Sequence, residues 1–161
     1  MPVVSLNVVS GDVRDIESEA LVACFFDDIR PLKGEAGRLD WILCGALSRL
    51  ILDGKIRGSL GEAALLTARG KVRAGKLFLI GLGPFSAYSL DALGQAARII
   101  GATVANAGVK RILIEYYKPA DATEDAGIAA LRSGFQDGVG DRELAIAVLA
   151  SGAGSGAPPT S

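Results

Sequence analysis

A chain of 161 residues, half of them hydrophobic and with a formal charge of −1, is sized for one domain that buries about two-thirds of the surface its unfolded form exposes. That charge balance excludes a global attraction to nucleic acid or an anionic membrane. The complete lack of histidine removes Ser-His and Cys-His nucleophile pairs and HExxH zinc sites.

Val3 to Val9 alternates Val and Leu with Ser and Asn, which predicts a half-buried strand ended by Ser10-Gly11-Asp12. Ala20 to Phe26 is a continuous apolar run and predicts a strand covered on both faces. From Glu35 the period changes. Leu39, Ile42, Leu43, Ala46, Leu47 and Leu50 keep helical spacing and predict one long amphipathic helix ended by Asp53-Gly54.

Ala63 to Thr67 and Leu77 to Ile80 read as short strands joined through the basic turn Arg69-Gly70-Lys71. Ser89 is the expected N-cap of the next helix, with Asp91 favourable to its dipole and Tyr88 placed to staple onto Leu93. Leu93, Ala97, Ile100 and Val104 form its buried stripe, and Gly108 closes it. Ile112 to Ile114 reads as a strand. Asp121 with Glu124 forms a capping-box-like start for a helix carrying Ile128, Leu131 and Phe135, and Leu144 to Leu149 is the last strand. Residues 1–150 are thus one domain, and SGAGSGAPPTS, residues 151–161, reads as a flexible tail with no apolar surface to bury. Strands alternating with helices, together with 21 glycines, roughly twice ordinary usage, predict a three-layer α/β/α sandwich with a mostly parallel mixed sheet.

Cys24 falls in an apolar strand and Cys44 on a helix. Their spacing matches neither a zinc site nor a CxxC pair, so both read as buried reduced thiols. No charged-then-apolar leader opens the chain, and no apolar run approaches the roughly 18 residues of a membrane helix. The expectation is a cytoplasmic protein without a membrane partner.

Two glycine motifs miss their chemistry. Gly70 to Lys76 satisfies GxxxxGK, but Leu77 stands where a phosphate loop needs Ser or Thr, and the motif enters a strand instead of opening a helix. Gly81-Leu82-Gly83-Pro84-Phe85-Ser86 follows a strand, with Glu115 after the next strand to mimic a ribose-binding acid. Ser86 replaces the third Gly, however, and Pro84 stiffens the loop. Lys33, Arg38, Lys71, Arg73 and Lys76 are mixed with acids and little interleaved with aromatics, so they read as a solvated surface. Trp41 and the pair Tyr116-Tyr117 are candidate anchors for a protein partner. Trp41, beside Ile42, reads equally as core.

SGDVRDIESEALVACFFDD at residues 10–28 and KVRAGKLFLIGLGPFSAYSLDALGQAAR at 71–98, in that order, resemble the N-terminal domain of the leucyl (cytosol) aminopeptidases. The likeness spans roughly residues 3–149. It departs at Lys55 to Glu62, KIRGSLGE, where that family commonly has GKxGE. The resemblance implies a macro-domain-like fold whose main roles are assembly and regulation. It also implies that catalysis, through a Lys and carboxylates holding two metals in stretches resembling NTDAEGR and FDSGG, belongs to a domain with no counterpart in these residues. No catalytic residue, metal or cofactor is therefore expected of this chain acting alone.

The resemblance extends to macro domains, where an Asp in a similar GD turn contacts an adenine amino group and glycine-rich loops hold a diphosphate. Transferred here, it makes Asp12, Gly34, Gly81 and Gly83 candidate ligand-binding residues for ADP-ribose or a related nucleotide. Glu35 beside Gly34 opposes a phosphate, and Glu115 to Pro119, where the second loop would fall, contains no glycine. The plainer reading of Asp12 is a turn cap accepting backbone N–H groups. Some aminopeptidases of this family also bind DNA, which the mixed charges here do not favour. Three functions follow: an assembly domain that pairs with itself or another protein, a nucleotide-binding pocket, and an enzyme built on carboxylates and a metal. The first is the leading expectation.

Overall fold

The computed structural model describes residues 3–67 and 70–149. The strands are β1 (Val3–Val9), β2 (Ala20–Phe25), β3 (Ala63–Thr67), β4 (Lys76–Gly81), β5 (Arg111–Glu115) and β6 (Glu143–Leu149). The helices are α1 (Gly34–Ile42), α2 (Ala46–Leu52), α3 (Leu90–Asn106) and α4 (Glu124–Val139), with one 3₁₀ turn, Phe85–Ala87, before α3. The strands form one sheet in the order β1-β6-β5-β2-β4-β3. Every pairing is parallel except that of β3 with β4.

All six residues of β2 are buried, because alternate side chains of a central strand point to opposite faces and both faces are covered. Ala20, Val22 and Cys24 join a core with Leu93, Ala97 and Ile100 of α3 and Leu131 and Phe135 of α4. Leu21, Ala23 and Phe25 join a second core with Ala36 and Leu39 of α1 and Leu47 of α2. The expected three layers are present.

The expected long helix is two. Cys44 takes φ 58° and Gly45 φ 84°, and this left-handed step turns the chain between α1 and α2. The Asp40 carboxylate then accepts from the Ser48 amide at 2.9 Å and from the Ser48 hydroxyl, so the start of α2 is satisfied by a side chain from before the break. Cys44 consequently lies between helices and is exposed, whereas Cys24 is buried as expected. Ser89 caps α3 by accepting from the Ala92 amide at 3.2 Å. The cap of α4 is Thr123, which accepts from the Ala126 amide at 3.1 Å, and not the earlier Asp121. The tail from Ser151, and Arg69 of the basic turn, lie outside the described residues.

Helices α3 and α4 meet through small residues. A Cβ on Gly134 would fall 2.4 Å from the Gly94 carbonyl oxygen, and one on Gly138 2.0 Å from that of Arg98. Backbone cannot yield as a flexible side chain can. Gly134→Ala is expected to destabilise the fold by about 1–3 kcal/mol, read as a lower urea midpoint with an unchanged slope.

Candidate functional site

Helix α1 follows β2 on one face of the sheet, and α4 follows the neighbouring strand β5 on the other. In such a sheet a crevice is expected beyond the carboxyl ends of these two strands. Here side chains fill it. The Phe26 ring meets Phe85 edge-on at 5.1 Å and Tyr88 at 5.0 Å, and tilts against Tyr117 at 5.4 Å. The Tyr88 hydroxyl donates to the Tyr117 carbonyl at 2.6 Å. Burial, with Cys24 and Tyr116 nearby, pushes the Tyr88 phenol up from its ordinary value. Burial, with Glu115 adding, pushes the Cys24 thiol up to about 12. Both stay protonated at neutral pH. Two cavities remain among these side chains, each of about 10 Å³.

The four residues expected to hold a ligand are placed as follows. Asp12 holds two arginines: its Oδ1 accepts from the Arg14 amide at 2.9 Å and Nε at 3.0 Å, and its Oδ2 pairs with Arg14 at 2.7 Å and Arg38 at 2.5 Å. The hydrogen bonds from Arg14, with Arg38 adding, hold Asp12 well below the usual carboxylate range. The turn is thereby tied to α1. Gly34 opens α1 where a Cβ would fall 2.2 Å from the Tyr117 hydroxyl and 2.7 Å from Glu115 Oε1.

Gly81 and Gly83 lie under the segment 57–62. A Cβ on Gly81 would fall 2.3 Å from the Ser59 carbonyl oxygen, and the Gly83 amide donates to Gly58 at 2.8 Å. Glu62 fixes that segment, its Oε1 accepting from the amides of Arg57 and Gly58 at 2.8 Å and Ser59 at 3.3 Å. Burial works to raise the Glu62 pKa, but these amides, with the Arg57 charge, hold it below its ordinary value. Neither small cavity, nor either groove described next, is lined by Asp12, Gly34, Gly81 or Gly83.

The larger space lies at the break between α1 and α2. An open groove of about 880 Å³ is lined by Arg14, Leu32, Asp40, Trp41, Ile42, Cys44 and Lys71 among others. A second, of about 340 Å³, shares Ile42, Cys44 and Lys71 with it and reaches Leu66 and Thr67 on β3. Trp41 is 82% exposed at its rim. Of the aromatic anchors expected, Trp41 faces solvent, Tyr116 is half-buried with its hydroxyl donating to Glu124, and Tyr117 is buried in the crevice. The groove itself was hidden from sequence reasoning, its one signal being Gly45 within an otherwise regular helical stripe.

Residues 21–139 match the family model of the cytosol aminopeptidase family, N-terminal domain. The chain belongs to this family. It is 29% identical over 111 residues to a probable cytosol aminopeptidase of Persephonella marina, covering 69% of this chain and 22% of that protein. It is 34% identical over 83 residues to one of Burkholderia mallei, covering 52% of this chain and 16% of that protein. The chain thus spans about a fifth of the length of the curated relatives it matches.

Among solved structures, a mutant of tomato leucine aminopeptidase matches with a TM-score of 0.72 at 18% identity, over 98% of this chain and 34% of that one. The macrodomain of Mycobacterium tuberculosis DarG matches with 0.68 at 13%, over 96% and 98%. The Trypanosoma brucei macrodomain in complex with ADP-ribose matches with 0.65 at 17%, over 89% and 63%. These likenesses establish the macro-domain-like fold of this family member. Among the described residues no group of three or more His, Cys, Asp or Glu is placed to hold a metal ion. Among the described residues no helix is long and apolar enough to cross a membrane.

The Glu62 anchor is titratable. Its folded pKa lies below the unfolded value of about 4.3, so its contribution is complete above that value and is lost as pH falls through the folded one. Between about pH 6 and about pH 3, Glu62→Gln should lose less stability than the unaltered chain in urea titrations. Equal losses would mean the carboxylate does not hold the segment.

Proposed function

We propose that this domain is a non-catalytic assembly and docking module of its family, acting through contact with protein and not by turning over a substrate itself. The observation that carries this reading is the groove at the α1–α2 break. It is the largest of the described cavities, it is walled mainly by apolar residues, and it carries an exposed tryptophan, a residue type enriched at interface hot spots. The partner is a second copy of the chain or another protein, including the remainder of an aminopeptidase.

A second reading, binding of ADP-ribose or a related nucleotide, is favoured by the likeness to a macrodomain solved with ADP-ribose. The contents of the crevice weigh against it. Ligand sites ordinarily offer about 300 Å³ or more, against about 10 Å³ in each cavity here. Glu115 is buried at this end, and Asp28 is engaged in accepting from the Phe85 amide at 2.8 Å. Neither acid favours a diphosphate.

Thermal unfolding with millimolar ADP-ribose, ADP, AMP and NAD separates the two. A ligand at 100 times its Kd adds about 2.7 kcal/mol, or several degrees for a domain of this size. Shifts below about one degree are expected, and a rise of several degrees with any of the four would put the nucleotide reading first.

Docking is read through Trp41, the sole tryptophan. Its emission should move to shorter wavelength as protein concentration rises, or on mixing with the separately produced catalytic part of a cytosol aminopeptidase. Sedimentation should show the same association weakened by Trp41→Ser. If emission and sedimentation stay unchanged in both mixtures, the docking reading fails.

A further inference from the structure

We infer that the partner is a second copy of this chain, joined by antiparallel pairing of β3 with its own copy into one continuous sheet. This rests on the docking reading above and names its partner and its surface.

Hydrogen-bond parity fixes what β3 presents. The Lys76 amide donates to Glu19 and that of Leu82 to Phe25, both toward β2, whereas the Gly81 amide donates to Glu62 on the β3 side. Alternation along β4 therefore turns Leu77, Leu79 and Gly81 toward β3. Leu66 stands opposite Leu77 and Ala64 opposite Leu79, so the backbone groups of Ala64 and Leu66 are used within the sheet. Those of Ala63, Leu65 and Thr67 point off the edge, where no strand pairs with them among the described residues.

The edge strand is short but lacks the charged and proline guards. Ala63-Ala64-Leu65-Leu66-Thr67 contains no charge and no proline, and such edges are templates for pairing. The side chains of Ala63, Leu65 and Thr67 are exposed, Leu65 by 57%. A two-fold axis at Leu65 sets Leu65 against its own copy and Ala63 against Thr67, each pair exchanging both N–H···O=C bonds. No like charges meet within the paired strands.

A five-residue strand alone is too little for a stable interface, which needs about 1,200 Å² or more. The adjoining area is supplied by the groove that Leu66 and Thr67 share with Ile42, Leu43 and Cys44, which the same axis brings beside its copy. One apolar surface then runs from the helix break to the strand edge.

The test is sedimentation velocity from about 1 to about 100 µM on the unaltered chain, Leu65→Lys and Thr67→Pro. Proline at Thr67 removes an outward N–H only, which an edge strand tolerates. The unaltered chain is expected to dimerise. Both variants should raise the dissociation constant at least about tenfold while unfolding within about two degrees of the unaltered chain at low concentration.

Hydrogen exchange on the unaltered chain gives a reading independent of any variant. The Leu65 and Thr67 amides should gain protection with concentration, and those of Ala64 and Leu66 should be protected throughout. A chain monomeric at about 100 µM, or a dimer that survives both variants with Leu65 and Thr67 unprotected, overturns the inference. If Trp41 emission still shifts in the presence of the catalytic part, docking stands and only the second copy is excluded as its partner.

Discussion

Strand β2 is hydrogen-bonded on both edges, to β4 and to β5, and buried on both faces, and the remaining architecture is arranged around it. Because its side chains alternate between two cores, it forces a helical layer on each side. Its parallel pairing with β5 requires crossover connections, and these leave in opposite directions from the ends of the two strands. The crevice between them is thus a consequence of topology before any side chain is chosen. What the chain places there is Phe26, the first residue after β2, and three further rings gather around it.

The filled crevice changes what the fold can do. Aromatic pairs in edge-on geometry contribute about 0.5–1.5 kcal/mol each beyond the area they bury, so the switch point becomes part of the core. The exits of β2 and β4 are closed in the same spirit. Segment 57–62 lies against Gly81 closely enough that any side chain there would meet backbone, and Glu62 ties its amides down. Asp12 is held by two arginines and joins the turn after β1 to α1. Each feature is satisfied within the chain itself.

Much of the fold was legible because it rests on local pattern. The alternation in Val3–Val9, the apolar run of β2, the Ser89 cap and the stripe Leu93, Ala97, Ile100, Val104 all depend on neighbours a few residues away, and the structure contains them. The helix break was not legible. Leu39 and Leu47 keep helical spacing across it and both are fully buried, so periodicity is blind to the turn, and the cap at Asp40 acts on Ser48 eight positions on. Thr123 and Asp121 are both competent caps, and the choice depends on where the chain leaving β5 comes to rest. The crevice was illegible for a stronger reason: Phe26, Phe85, Tyr88 and Tyr117 are brought together by strand order, which sequence spacing does not encode.

The break also shows where the molecule departs from what stability alone would select. A left-handed backbone at a non-glycine residue is unfavourable by about 1 kcal/mol, and Cys44 adopts it with a glycine beside it. An indole left 82% exposed at the adjoining helix end forgoes burial of about 2 kcal/mol or more. Both departures fall at one place, between Leu39 and Leu47, which reach the core on either side. The crevice and the break therefore stand in contrast: one site has been closed with aromatic rings, and the other is held open with a tryptophan facing out. On the docking reading proposed above, the apolar rim at the bent helix and the strand edge beside it form the surface that protein covers.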